Sequence, residues 1–197
     1  MYKDYFTRAL KENIDLKQKL FSDKYSKKIN LFVEKIYDAM KKNNKILICG
    51  NGGSAADAQH LSAEFLVRLN PKINRKPYPI ISLALDSSTI TACGNDYNFD
   101  KIFSRNLEAL GKKGDILITI STSGKSKNIL NVLNQSKKMK IYSLALLGFE
   151  GGNAKKLANN SIIVPSKNVA RIQEAHIFLG HVILNEVEKK LIKRKNK

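Results

Sequence analysis

His60 and Glu64 stand four residues apart, so a helix that holds them turns both to one side, about one turn from each other. An imidazole and a carboxylate in that relation share a substrate or a metal, or simply pair as surface charges. A second set follows much later: Arg171-Ile172-Gln173-Glu174-Ala175-His176, then His181, in a run whose other residues include Ile177, Phe178, Leu179, Val182, Ile183 and Leu184. A histidine on such an apolar face is usually a packed core residue. All three histidines of the chain nevertheless fall in the two segments that carry these carboxylates.

Two loops offer anion chemistry. Cys49-Gly50-Asn51-Gly52-Gly53-Ser54 has three glycines that let the backbone turn sharply and bring N–H groups against an anion, with Ser54 free to cap or donate. It is neither a P-loop nor a dinucleotide fingerprint, and a glycine turn after a strand is common for structural reasons alone. Ser121-Thr122-Ser123-Gly124-Lys125-Ser126 gathers four hydroxyls around a glycine at the start of a helical segment. That is more than an N-cap needs and suits a phosphate dianion, which the helix dipole also favours.

The surrounding pattern fixes where such loops sit. Residues 2–42 repeat apolar side chains at helical intervals and read as two amphipathic helices. Short β-branched runs follow at Ile46–Ile48, Ile80–Leu85, Ile116–Ile120, Ile141–Leu147 and Ile162–Val164, and read as buried strands. Helical segments separate them near 54–69, 98–110, 126–139 and 152–159, and a long one spans about 169–192. Alternation of this kind predicts an α/β, doubly wound fold: a parallel sheet covered on both faces by right-handed crossovers. Ligands of such sheets bind beyond the carboxyl ends of the strands, where both loops fall.

A length of 197 residues suits one core. No apolar run approaches a membrane span, and the opening residues lack a secretory pattern, so a soluble protein is expected. Cys49 and Cys93 have neither metal-ligand spacing nor a disulfide framework, which fits a reducing cytoplasm. The net charge of +18 invites a nucleic-acid reading, but only six of the 35 basic residues are arginine. The lysines are scattered over nearly every helix, without interleaved aromatics, and Lys189 to Lys197 forms a basic tail. A solvated lysine surface and an anionic small substrate explain the charge; no nucleic acid and no membrane partner is expected.

Taken in order, Gly50-Asn51-Gly52-Gly53-Ser54, Asp57-Ala58-Gln59-His60, Glu64, Gly94-Asn95-Asp96, Ser121 to Ser126 and Arg171-Ile172-Gln173-Glu174 resemble the phosphoheptose isomerases of the sugar isomerase (SIS) family, over essentially the whole chain. The resemblance implies a five-stranded parallel, flavodoxin-like SIS domain over residues 1–197, with 1–42 a helical oligomerisation segment and 43–197 the α/β core with its C-terminal helix. It also implies a homotetramer with active sites at subunit interfaces. Asn51, Gly52, Gly53, Asn95 and Asp96 would hold the sugar. Ser121, Thr122, Ser123 and Ser126 would hold its phosphate, with Ser54 and Arg68 helping, and Gln173 would also touch substrate. Glu64 and His181 would be the acid–base pair converting sedoheptulose 7-phosphate to an aldoheptose 7-phosphate.

The same resemblance implies one zinc ion held by His60, Glu64, Gln173 and His181, an oxygen and nitrogen set that zinc accepts. Gln173 and His181 lie eight residues apart, about 12 Å along a straight helix, so a set completed across a subunit interface is expected. The chain departs from the family before Arg171, where Lys167-Asn168-Val169-Ala170 replaces the usual acidic or hydroxyl residues, so local substrate contacts are expected to differ. Non-enzymatic SIS proteins that bind a partner lack the acid–base pair, and Glu64 with His181 favours the enzyme. Hexose-phosphate isomerases share the serine loop but not the full-length agreement.

Overall fold

The computed structural model describes residues 2–84 and 86–193. The chain opens with α1 (Tyr2–Leu20) and α2 (Asp23–Lys41), then alternates β1 (Ile46–Gly50), α3 (Gly53–Leu66), β2 (Ile80–Ser82) and α4 (Ser87–Asp96). A short 3-10 turn (Phe99–Lys101) leads into α5 (Ile102–Leu110), β3 (Ile116–Ser121), α6 (Lys127–Lys138), β4 (Tyr142–Leu147), the single turn α7 (Ala154–Leu157), β5 (Asn160–Ile163) and α8 (Val169–Lys193). The five strands are all parallel in the order β2-β1-β3-β4-β5. This is the predicted doubly wound sheet, and its order reverses beside β1, where such folds place their ligands.

Strand side chains alternate between two apolar layers. Ile46, Ile48, Ile118, Ile120, Leu144 and Leu146 pack with Phe32 and Ile36 of α2, Leu61 and Phe65 of α3, and Leu179 and Ile183 of α8. Leu47, Cys49, Leu117, Ala145 and Leu147 face the other way, onto Phe103 and Leu107 of α5 and Ile129, Val132 and Leu133 of α6. Cys49 is therefore a core residue, and burial pushes its thiol well up.

Several boundaries differ from expectation for local reasons. β2 is a sheet edge and ends at Ser82, although the Leu83 N–H still bonds the Ile48 carbonyl at 2.8 Å; Leu85, also expected in this strand, lies outside the described residues. α4 was not expected, because its Ser-Ser-Thr-Ile-Thr opening carries weak helix formers. Asp86 caps it, accepting from the Thr89 N–H at 2.8 Å. The basic run beginning at Lys189 starts as the last turn of α8, with Lys189 and Lys190 paired to Glu186 and Glu34; residues 194–197 lie outside the described residues.

The departure at 167–170 has a structural account. Asn168 caps α8 by accepting from the Ala170 N–H at 3.1 Å, and its amide donates to Glu12 of α1 at 3.2 Å. Arg171 donates to the Ala9 carbonyl at 2.9 Å, and Asn13 bonds Glu174, so α1 is held along the start of α8. Its other side leaves Phe6 66%, Leu10 50% and Ile14 48% exposed at four-residue spacing.

Candidate active site

β1 runs into the glycine loop, where Gly52 takes φ +55, a left-handed conformation that suits only glycine without strain. Gly53 lies under Gln173 of α8: a Cβ there would stand 2.6 Å from Nε2 of Gln173. Ser54 is buried in the first turn of α3. The Asn51 amide turns inward and exchanges two hydrogen bonds with Asn128, donating at 2.9 Å and accepting at 2.8 Å. Asn128 is buried in the first turn of α6, so this pair ties the glycine loop to the serine loop. Sequence reasoning missed it; an amide in the first turn after the serine loop was the available signal.

In the serine loop, Ser121 accepts from the Gly124 N–H at 3.0 Å and Ser123 from the Lys125 N–H at 3.2 Å, so these two hydroxyls shape the turn. Ser126 sits at the N-cap of α6 without a side-chain capping bond. Ser126 and half-buried Thr122 belong to the loop that leads into α6, whose first N–H groups favour an anion. Gly124 has φ +63 and lies directly on the Gly151 carbonyl.

Farther along α3 and α8, His60, Glu64 and His181 converge, with ligand atoms all within 4.8 Å of one another. Nε2 of His60 stands 2.8 Å from Nε2 of His181 and 3.4 Å from Oε1 of Glu64. The close helix approach rests on Gly180, where a Cβ would meet Leu61 at 2.6 Å. Burial lowers the pKa of His181, nearby His60 lowers it further, and Glu64 pulls it back up. Asp57, one turn before His60, is half-buried, and burial raises its carboxyl pKa against the pull of His60.

The donors His60, Glu64 and His181 suit zinc, whereas Gln173, the fourth expected donor, lies against Gly53. Bonds of about 2.0–2.1 Å place tetrahedral donors about 3.3 Å apart, which the His60–Glu64 pair matches at 3.4 Å. The two imidazoles need only a small opening.

The remaining expected residues lie elsewhere. Arg68 is exposed beyond the end of α3, roughly 20 Å along the helix from Ser54. Asn95 and Asp96 are exposed at the end of α4 and bond each other at 2.9 Å. One chain therefore brings Gly53 and Gln173 together near the starts of α3 and α8, and the histidine–glutamate cluster about two turns farther along both.

Parallel strands in this order, with a glycine loop after β1 and a hydroxyl-rich loop after β3, define a doubly wound α/β class whose ligands bind beyond the carboxyl ends of the strands. Within that class the chain belongs to the SIS domain family, whose model matches residues 10–148. It is similar to a phosphoheptose isomerase of Clostridium acetobutylicum, 42% identical over 98% of both chains. A phosphoheptose isomerase structure from Francisella tularensis superposes with a TM-score of 0.91 at 32% identity, covering 96% of this chain and 99% of that one. One from Neisseria gonorrhoeae gives 0.87 at 33% identity, covering 96% and 100%.

His176, fully buried on α8 between the two ends of the site, has its pKa lowered to about 4 by burial, against a weaker upward pull from the Leu147 backbone. The unfolded chain binds a proton near pH 6.5 that the folded chain refuses until about pH 4. Stability from this group is thus complete above 6.5 and is lost as pH falls through 4. Urea unfolding should show about 2 to 3 kcal/mol less stability from this source at pH 4.5 than at pH 7.5. His176→Leu should flatten that part of the slope.

Proposed function

We propose that the protein is an aldose–ketose isomerase that converts sedoheptulose 7-phosphate to D-glycero-D-manno-heptose 7-phosphate, the first step toward nucleotide-activated heptose for surface glycans such as lipopolysaccharide or capsule. The observation that carries this reading is the convergence of His60, Glu64 and His181 in a chain that also keeps the serine loop intact. Full-length similarity to phosphoheptose isomerases supports the heptose as substrate.

In the forward direction the Glu64 carboxylate takes a proton from C1 of the ketose, giving an enediol, and returns it to C2. His181, whose pKa burial lowers, moves the hydroxyl proton from O1 to O2. Ser121, Thr122, Ser123 and Ser126, with Ser54, hold the phosphate, so binding energy far from the reacting carbons sets their position. Asn51, Gly52, Gly53, Asn95, Asp96 and Gln173 hold the sugar. Asn51 must then contribute through its backbone or exchange its bond to Asn128.

His60, Glu64, His181 and Gln173 would hold zinc, which supplies positive charge to the substrate oxygens. Glu64 has a second oxygen left for C1.

The separation within one chain supports assembly. Gln173 and His181 lie about 12 Å apart along α8, and the exposed Phe6, Leu10 and Ile14 row gives α1 an apolar surface to bury. We assign a cytoplasmic homotetramer with sites completed between subunits, in which residues 1–42 serve assembly and Arg68, Asn95 and Asp96 reach a neighbouring subunit's substrate. The purified protein should convert sedoheptulose 7-phosphate and leave fructose 6-phosphate essentially unchanged. Equal rates on both would defeat the heptose assignment.

A further inference from the structure

Arg75 lies in the segment between α3 and β2 and belongs to none of the recognised motifs, yet its side chain is 3% exposed. Nη2 donates to the Glu64 carbonyl at 2.9 Å, and Nη1 to the Phe65 carbonyl at 2.9 Å and the Lys76 carbonyl at 3.0 Å. Nε pairs with Glu188 of α8, itself 1% exposed. The guanidinium is also stacked against Phe65 and Tyr78, with its carbon 5.1 Å and 5.2 Å from the ring centroids.

The carbonyls of Glu64 and Phe65 belong to the last turn of α3, where no following helical N–H is available to them. Such turns fray unless something satisfies them. Here the Tyr78 N–H bonds the Phe65 carbonyl at 3.0 Å and the buried guanidinium bonds both carbonyls, at the helix end where positive charge is favoured. Glu188 stands two turns beyond His181 on the same side of α8. One guanidinium thus fastens the turn that carries Glu64 to the helix that carries His181. Lysine, with a single donor head, cannot span a carboxylate and three carbonyls in these directions.

We infer that Arg75 is a positioning residue: through Glu188 it sets the spacing of α3 and α8 that focuses His60, Glu64 and His181 on one point. The inference rests on the isomerase reading only for its kinetic consequence, since the focus itself is also read by metal affinity.

The test compares Arg75→Met, Arg75→Lys and the milder Glu188→Gln with Asp115→Asn. Asp115 is fully buried and bonds Lys45 and Lys112 at the amino end of β3, away from the site, so its loss is purely structural. For each assembled protein, kcat and KM for the sugar phosphate, zinc affinity by chelator competition, and Tm are measured. Arg75→Met should lower kcat and weaken zinc binding by about 10- to 100-fold each, with KM within about two-fold. Arg75→Lys should recover most of the Tm but little of the kcat, and Glu188→Gln should shift both readouts the same way by less. Asp115→Asn should lower Tm alone. If wild type binds zinc but isomerises nothing, a zinc loss in Arg75→Met still upholds the latch while the isomerase reading fails. A fall in Tm with kcat and zinc affinity unchanged, including the case where neither chain binds zinc, would overturn the inference.

Discussion

Glu64→Gln should abolish most turnover, lowering kcat by roughly 10³-fold, while the protein stays folded and KM changes little. Glutamine preserves the size and the hydrogen-bonding oxygen but cannot accept the C1 proton, and nothing beside it can take over. His60 and His181 face each other at 2.8 Å, and Asp57 is about two turns back on α3 with its own half-buried surroundings. The Arg75 bond uses the Glu64 backbone carbonyl and survives the change. Circular dichroism and a steady-state assay on the same sample separate lost chemistry from lost fold. A variant that kept a tenth of the wild-type kcat would mean that another group carries the proton.

The second large effect is expected at Gly124→Ala. The backbone there is left-handed, and the new Cβ would lie 2.1 Å from the Gly151 carbonyl oxygen, a backbone atom that cannot swing aside. A Cβ on Gly152, itself at φ +51, would stand 2.6 Å from both the Ser123 and Gly124 carbonyls, so the turn after β4 is seated against the serine loop. The loops must separate, and with them the hydroxyls proposed to face the phosphate. A strain of about 1–3 kcal/mol spent in this loop should raise KM for the sugar phosphate about ten-fold or more, with a lower Tm. A normal KM would place the phosphate elsewhere. The two variants thus fail differently, one in kcat and one in KM, because the chemistry and the phosphate handle are separate structures.

Much of this was legible in the sequence because it depends on local pattern. β-branched runs spaced by helical segments gave the parallel sheet and put both loops at its carboxyl edge, as found. The pairing of His60 with Glu64 follows from helical spacing alone, and their meeting with His181 was implied by the family resemblance. What stayed hidden depends on contacts between distant segments. Asn128 matters because it faces Asn51, and its place just after the serine loop was the only hint of that; Arg75 matters because a loop returns it to the end of α3, and nothing beside it in sequence marks it. α4 was hidden for another reason: it has no buried residues among those described, so there is no apolar periodicity to read.

The central claim is that Glu64 carries a proton from C1 to C2. Sedoheptulose 7-phosphate should be incubated with the protein in deuterated water and the aldoheptose product analysed by NMR, with Glu64→Gln alongside. The account predicts deuterium at C2 of the product with wild type, because the carboxyl exchanges its proton with solvent during the enediol lifetime, and no product with the variant. Aldoheptose formed at an undiminished rate by Glu64→Gln, deuterated or not, would contradict it.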